Sequence, residues 1–171
     1  DPAITTSTPG GAASDGEVED YPVTVNPPGV SITKSDGRNS IVIGQTTTYT
    51  ITIQYSGLAP ITRIVNDTTT PVNAFIPTSV SWTCDANALA SCVSGQPLGT
   101  DIATDSDAAT PPIAGFMTGE SVDLTQGGQL VYRLTGTLLP DFNTVFPAVP
   151  DVVNTAALDS GETASDTNGV I

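Results

Sequence analysis

Histidine is absent from this chain, which removes imidazole-centred triads, HExxH zinc sites and histidine general bases in one step. Bases are nearly absent too: four, against eighteen acids, leave a formal net charge of −14. Lys34 is the single lysine, and Arg38, Arg63 and Arg133 are too scattered to form a basic patch. Such a field repels phosphate backbones and anionic bilayers, so neither nucleic acid nor a membrane surface is expected as a partner. No apolar run approaches the roughly 18 residues of a spanning helix, so no membrane insertion is expected. The start at Asp1-Pro2, without methionine or signal peptide, reads as a piece of something longer. What is present suffices for a packed core: an apolar fraction of 38% with 16 glycines is ordinary for a globular domain, so disorder is not the default.

The patterning is β throughout. Residues 46–55 read T-T-T-Y-T-I-T-I-Q-Y, which puts Tyr49, Ile51, Ile53 and Tyr55 on one face and Thr48, Thr50, Thr52 and Gln54 on the other. Residues 129–138 repeat the period, with Leu130, Tyr132, Leu134 and Leu138 opposite Val131, Arg133, Thr135 and Thr137. Shorter strands are expected at 23–25, 30–34, 61–67, 80–84, 122–124 and 152–158, separated by Asp36-Gly37, Ser56-Gly57, Gly127-Gly128 and several prolines. Residues 86–90 would suit one helical turn, and no longer window has a 3.6-residue period. Short strands at this spacing, without helices between them, predict an all-β, immunoglobulin-like Greek-key β-sandwich.

Two segments break the pattern. Residues 1–25 are rich in Thr, Gly, Ala and Ser, close on Asp15-Gly-Glu-Val-Glu-Asp-Tyr21, and are followed by Pro27-Pro28-Gly29, which is linker punctuation. The body is then 26–171, interrupted at 99–119 by a long acidic insertion carrying Asp101, Asp105, Asp107 and Pro111-Pro112.

Lys34 lies on a strand whose alternate residues, Val30 and Ile32, should face the core. It is then either a strand-edge side chain reaching out to water or a partner in buried chemistry. Cys84 and Cys92, eight positions apart, read as a disulfide in a secreted chain; two free buried thiols would suit a reducing compartment instead.

Several stretches of the body resemble the conserved-repeat domain (domain of unknown function eleven) of large bacterial surface proteins. They are Ile32-Thr33-Lys34, Gly44 through Ile53, Val65-Asn-Asp67-Thr, Trp82-Thr-Cys84, Gly127 through Tyr132, and Asn154-Thr-Ala156. Gly16 through Tyr21 separately resembles the closing motif of the GEVED domain of secreted bacterial proteins, which makes 1–25 the end strand or linker of a preceding module. The resemblance implies an extracellular, cell-surface module of an adhesin or stalk, whose partners are neighbouring modules of the same polypeptide and which turns over no substrate.

Lys34, Asp67 and Asn154 share a parity that sends all three toward one core, on first, middle and last strands. They resemble the intramolecular isopeptide triads of Gram-positive pilin and adhesin sandwiches. That resemblance makes Lys34 and Asn154 the crosslinked pair and Asp67 the autocatalytic acid. The plainer account is a buried Lys34–Asp67 ion pair, with Asn154 bonded to backbone at a strand end, or Asp67 capping the turn before Pro71.

No cofactor is required by this reading. The alternative is a calcium-dependent module that binds a cell-surface glycan or peptide, with Asp101, Asp105 and Asp107 supplying oxygens to the ion. Their spacing is not that of an EF-hand, since the central glycine and terminal glutamate are missing. Asp15, Glu17, Glu19 and Asp20 would be a second place for calcium, at the domain junction.

Overall fold

The computed structural model describes residues 29–105 and 115–171. The 1–25 segment with its strand at 23–25 lies outside the described residues, as do Asp107 and the side chain of Asp105. Among the described residues, alternation of β-branched or aromatic residues with hydroxyl-bearing ones produces strands almost everywhere. In order they are β1 (Val30–Ser35), β2 (Ser40–Ile41), β3 (Thr46–Tyr55), β4 (Ile61–Thr70), β5 (Ser81–Ala86), β6 (Ala90–Ser91), β7 (Ile102–Asp105), β8 (Met117–Leu124), β9 (Gln129–Thr137), β10 (Asp151–Leu158) and β11 (Thr163–Val170). A 3-10 turn (Pro77–Ser79) precedes β5, and a single helical turn, α1 (Phe142–Val145), joins β9 to β10.

The strands form two sheets, ordered β1-β3-β9-β5-β7 and β2-β11-β10-β4-β8-β6. β3 and β9 adjoin in the first sheet, β4 and β10 in the second, and the chain changes sheet at β3→β4 and again at β9→β10. That interlock is the Greek-key arrangement of an immunoglobulin-like sandwich. At one edge the chain leaves the first sheet after β1 and enters the second as β2, which runs parallel to β11.

The period of two decides what is buried. Tyr49, Ile51 and Ile53 of β3 and Leu130, Tyr132 and Leu134 of β9 expose nothing, and Val65, Val122, Leu124, Val152, Ala156 and Leu158 meet them from the second sheet. The outward threonines pair across strands, Thr46 with Thr137 at 2.8 Å and Thr48 with Thr135 at 2.9 Å. Gly136 sits inward on β9 because a Cβ there would come within 2.9 Å of the Phe116 ring and 3.1 Å of Phe75.

The structure corrects several expectations. Residues 86–90 make no helical turn: β5 ends at Ala86, β6 begins at Ala90, and a hydrogen-bonded turn fills the gap. The 99–119 insertion is not loop throughout, because β7 pairs with β5 near its start and β8 begins within its end. Asn154 is on the penultimate strand rather than the last, since β11 follows it.

Candidate functional site

Lys34 is the fifth residue of β1, paired opposite Ile51 of β3, and it points into the sandwich. Asp67 points inward from β4 and Asn154 from β10, strands that are hydrogen-bonded neighbours in the opposite sheet. In that register Ala156 faces Asp67 and Asn154 faces Thr69, so Asn154 and Asp67 are diagonal neighbours on one face. The inward parity read from the sequence therefore holds for all three residues.

Lys34 Nζ donates to Asp67 Oδ2 in an ion pair that exposes no side-chain surface. The ammonium also lies 5.0 Å from the centre of the Tyr49 ring. Asp67 Oδ1 accepts the Phe116 amide at 3.3 Å. That contact depends on Gly115, where any Cβ would fall 1.7 Å from the Asp67 carbonyl oxygen. Phe116 then closes over the site, edge-on to Tyr49 at 5.9 Å and to Phe75 at 5.0 Å between ring centres. The surroundings are buried and aromatic.

Burial dominates the protonation of both partners. It pushes the Asp67 carboxyl up to about 6, against the Lys34 charge, the Phe116 amide and the Asn154 carboxamide, which hold it down. Asn154 approaches Asp67 closely enough to be felt in this way, yet their geometry falls short of a hydrogen bond. Burial lowers the Lys34 ammonium, opposed by the charges of Asp67 and Asp166. An exposed ion pair would move the two groups apart in pKa. Here desolvation draws them together instead, lowering Lys34 and raising Asp67.

Asn154 is fully buried, and neither its Oδ1 nor its Nδ2 has a hydrogen-bond partner. Among the described residues, Arg63 Nε, Trp82 Nε1 and Tyr132 Oη are each a single orphaned atom, whereas Asn154 has both of its polar atoms unmet. The plainer account put this amide in a backbone hydrogen bond, and that bond is not there. A second buried asparagine, Asn168 of β11, shows the contrast: it accepts from Tyr49 Oη at 3.0 Å and donates to Asp36 Oδ1 at 3.1 Å and to the Arg38 carbonyl at 2.9 Å. Sequence reasoning missed Asn168, Asp36 and Asp166, which form a polar cluster beside Lys34. It also missed the part played by Gly115 and Phe116.

At the other edge of the sandwich Cys84 of β5 is bonded to Cys92, just after β6, with a Cα–Cα separation of 6.0 Å. The expected disulfide is present. Asp123 secures the chain that follows, accepting Thr62 Oγ1 at 2.7 Å, Ser94 Oγ at 2.9 Å and the Gly95 amide at 2.7 Å.

The three acids named for calcium are not seen together. Asp101 Oδ1 accepts the Ala86 amide at 2.5 Å, and Asp105's side chain and Asp107 lie outside the described residues. Among the described residues no group of three or more Asp, Glu, Cys or His side chains is placed to hold a metal ion.

No family model and no curated protein matches the chain. Some solved structures are similar to it. An alkylpurine DNA glycosylase of Pseudomonas fluorescens is 11% identical, covering 82% of this chain, with a TM-score of 0.40; this chain spans 30% of its length. The CARDB domain of a Pyrococcus furiosus protein, solved with di-metal ions, is 13% identical over 90% of this chain and 100% of its own, at TM-score 0.36. The collagen-binding subdomain of Enterococcus faecalis surface protein ACE is 11% identical over 89% of this chain and 97% of its own, at TM-score 0.29. Likenesses this distant say nothing about activity, ligand or partner.

Proposed function

We propose that the chain is an extracellular, cell-surface module of a large bacterial adhesin or surface protein, fastened internally by the Cys84–Cys92 disulfide and by an amide between Lys34 and Asn154. It links neighbouring modules of the same polypeptide and turns over no substrate. The resemblance of its sequence to the conserved-repeat domain supplies the setting. The observation that carries the crosslink is the Asn154 carboxamide, fully buried with both polar atoms unmet beside a buried Lys34–Asp67 pair. Such a group is costly unless something uses it.

The chemistry balances within the three side chains. Lys34 passes one of its three Nζ protons to Asp67, leaving a neutral amine and a neutral acid. The amine lone pair attacks Asn154 Cγ while the Asp67 hydroxyl polarises Oδ1. The Nζ–Cγ bond forms and the Cγ–Nδ2 bond breaks. Of the three Lys34 protons, one stays on the new amide, one rests on Asp67 and one departs with Nδ2 as ammonia. Fixed proximity in a buried core supplies the effective concentration. The event happens once per molecule, so Asp67 is a catalyst only of the chain's own maturation.

Intact mass measured on the denatured protein tests this reading. The expected mass is about 17 Da below the value for the disulfide-bonded chain, the mass of one ammonia, and Asp67→Ala restores the uncrosslinked mass after allowing for the substitution. A folded wild-type protein with the full mass leaves Lys34–Asp67 as an ordinary ion pair and removes the crosslink from the proposal.

A further inference from the structure

Asn154 is flanked on both sides. On β4 it has Thr69 opposite and Asp67 diagonal to it; on β11 it has Asp166 directly opposite. Directly paired residues share a face, with Cβ atoms roughly 5 Å apart, and Asp166 is half-buried between inward Ala164 and Asn168. The amide therefore lies between two carboxyl-bearing strands, of which the proposed chemistry uses one.

Asp166 is also tied to the strand that carries the amine. Its Oδ2 accepts the Asp36 amide at 2.6 Å, two residues beyond Lys34. Asp36 is itself immobilised: its carboxylate accepts Thr47 Oγ1 at 2.8 Å, the Arg38 amide at 2.8 Å and Asn168 Nδ2 at 3.1 Å. These bonds cross from one sheet to the other at the edge where β1 gives way to β2. We propose that Asp166 is a positioning residue of the crosslinking site, which clamps the strand of Lys34 against the strand next to Asn154 and whose charge governs how readily Lys34 gives up its proton. This inference rests on the crosslink reading above and adds a second carboxyl to it.

Two effects separate in principle. The clamp acts through geometry, since separating β1 from β11 withdraws the amine from the amide carbon, and misplacement by an ångström costs such reactions heavily. The charge acts in the opposite sense. The groups that sense one another here are Lys34 and Asp36 on β1 and its exit, Tyr49 on β3, Asp67 on β4 and Asp166 on β11. A negative Asp166 favours the Lys34 ammonium and so delays attack. Burial, and after it the neighbouring Asp36 charge, raise the Asp166 carboxyl from its ordinary value, opposed by the Asp36 and Thr167 amides.

Chain recovered unfolded from inclusion bodies and refolded by dilution in a thiol–disulfide buffer, at pH 5 and pH 8, allows the ammonia loss to be timed by mass. Circular dichroism on the same samples corrects for the folded fraction. Asp166→Ala removes the clamp and slows crosslinking roughly 10–100-fold relative to Asp166→Asn at both pH values. Asp166→Asn keeps an acceptor for the Asp36 amide and loses the charge. It crosslinks roughly 2–5-fold faster than wild type at pH 8, where Asp166 carries its charge. Equal rates for Asp166→Ala and Asp166→Asn, or an Asp166→Asn chain no faster than wild type at pH 8, would overturn the role given to Asp166 while leaving the crosslink standing. A wild-type chain that folds and never loses ammonia overturns both, and does so visibly in the wild type alone.

Discussion

Asn154→Ala should change stability in a direction that depends on whether the crosslink exists. If residues 34 and 154 are joined, the bond closes a loop of roughly 120 residues in the unfolded chain, and removing it costs about 5 kcal/mol of loop-closure free energy. If they are not joined, the substitution deletes two buried polar atoms that have no partner, which relieves about 1–3 kcal/mol for each. Against this stands a cavity of a few tens of Å³, worth about 1 kcal/mol. The uncrosslinked case is therefore neutral to stabilising, the crosslinked case strongly destabilising, and the two differ in sign. Guanidinium titration with the disulfide intact reads the difference. The expected result is a loss of about 4–6 kcal/mol, accompanied by a larger denaturant slope because the released chain exposes more surface on unfolding. An Asn154→Ala protein at least as stable as wild type, with an unchanged slope, would refute the reasoning.

Replacing Cys84 and Cys92 together by serine should lower stability by about 2 kcal/mol, a small figure because the loop between them is short, and thermal melting checks it. Asp123→Ala removes three hydrogen bonds to a carboxylate and should cost about 2 kcal/mol near neutrality. Those bonds lower the Asp123 pKa, so its contribution is present above the ordinary carboxylate range and lost as pH falls through the depressed value; the gap from wild type should close in acid melts. A structural module without a metal requirement should show the same melting temperature in excess chelator and in millimolar calcium, and a calcium-dependent rise would favour the ligand-binding alternative through Asp101, Asp105 and Asp107.

Much of the sandwich was legible because its central strands keep a strict apolar alternation: β3 and β9 are read from 46–55 and 129–138 with little ambiguity. β11 escaped because its inward residues are Ala164, Asp166, Asn168 and Val170, two of them polar, so hydropathy carries no period of two. The two-residue strands β2 and β6 are too short to have any pattern, and β7 and the start of β8 sit inside a stretch whose acids and prolines read as loop. At the site, Lys34, Asp67 and Asn154 could be found by parity because each follows apolar residues two positions away. Asp36, Asp166 and Asn168 could not, because a polar residue turned inward is intelligible only once its partners across the sheets are known. Gly115 belongs to the same class: its reason is a carbonyl oxygen on β4, nearly fifty residues earlier.

The placement of Lys34 on β1 and of Asn154 on β10 has a mechanical consequence under the proposed crosslink. Tension applied along the chain enters through β1, leaves β1 at Lys34, crosses the new amide to Asn154 and exits by the remainder of β10 and β11. Everything from residue 35 to residue 153 hangs off that route as a side loop. The central strands β3, β4 and β9 then carry no load, and neither does the disulfide at the far edge, so a pull strong enough to peel away β11 would leave both unmoved. Among the described residues such a module could lengthen only by those outside the bond, five ahead of Lys34 (29–33) and seventeen behind Asn154 (155–171), roughly 3.4 Å for each one released.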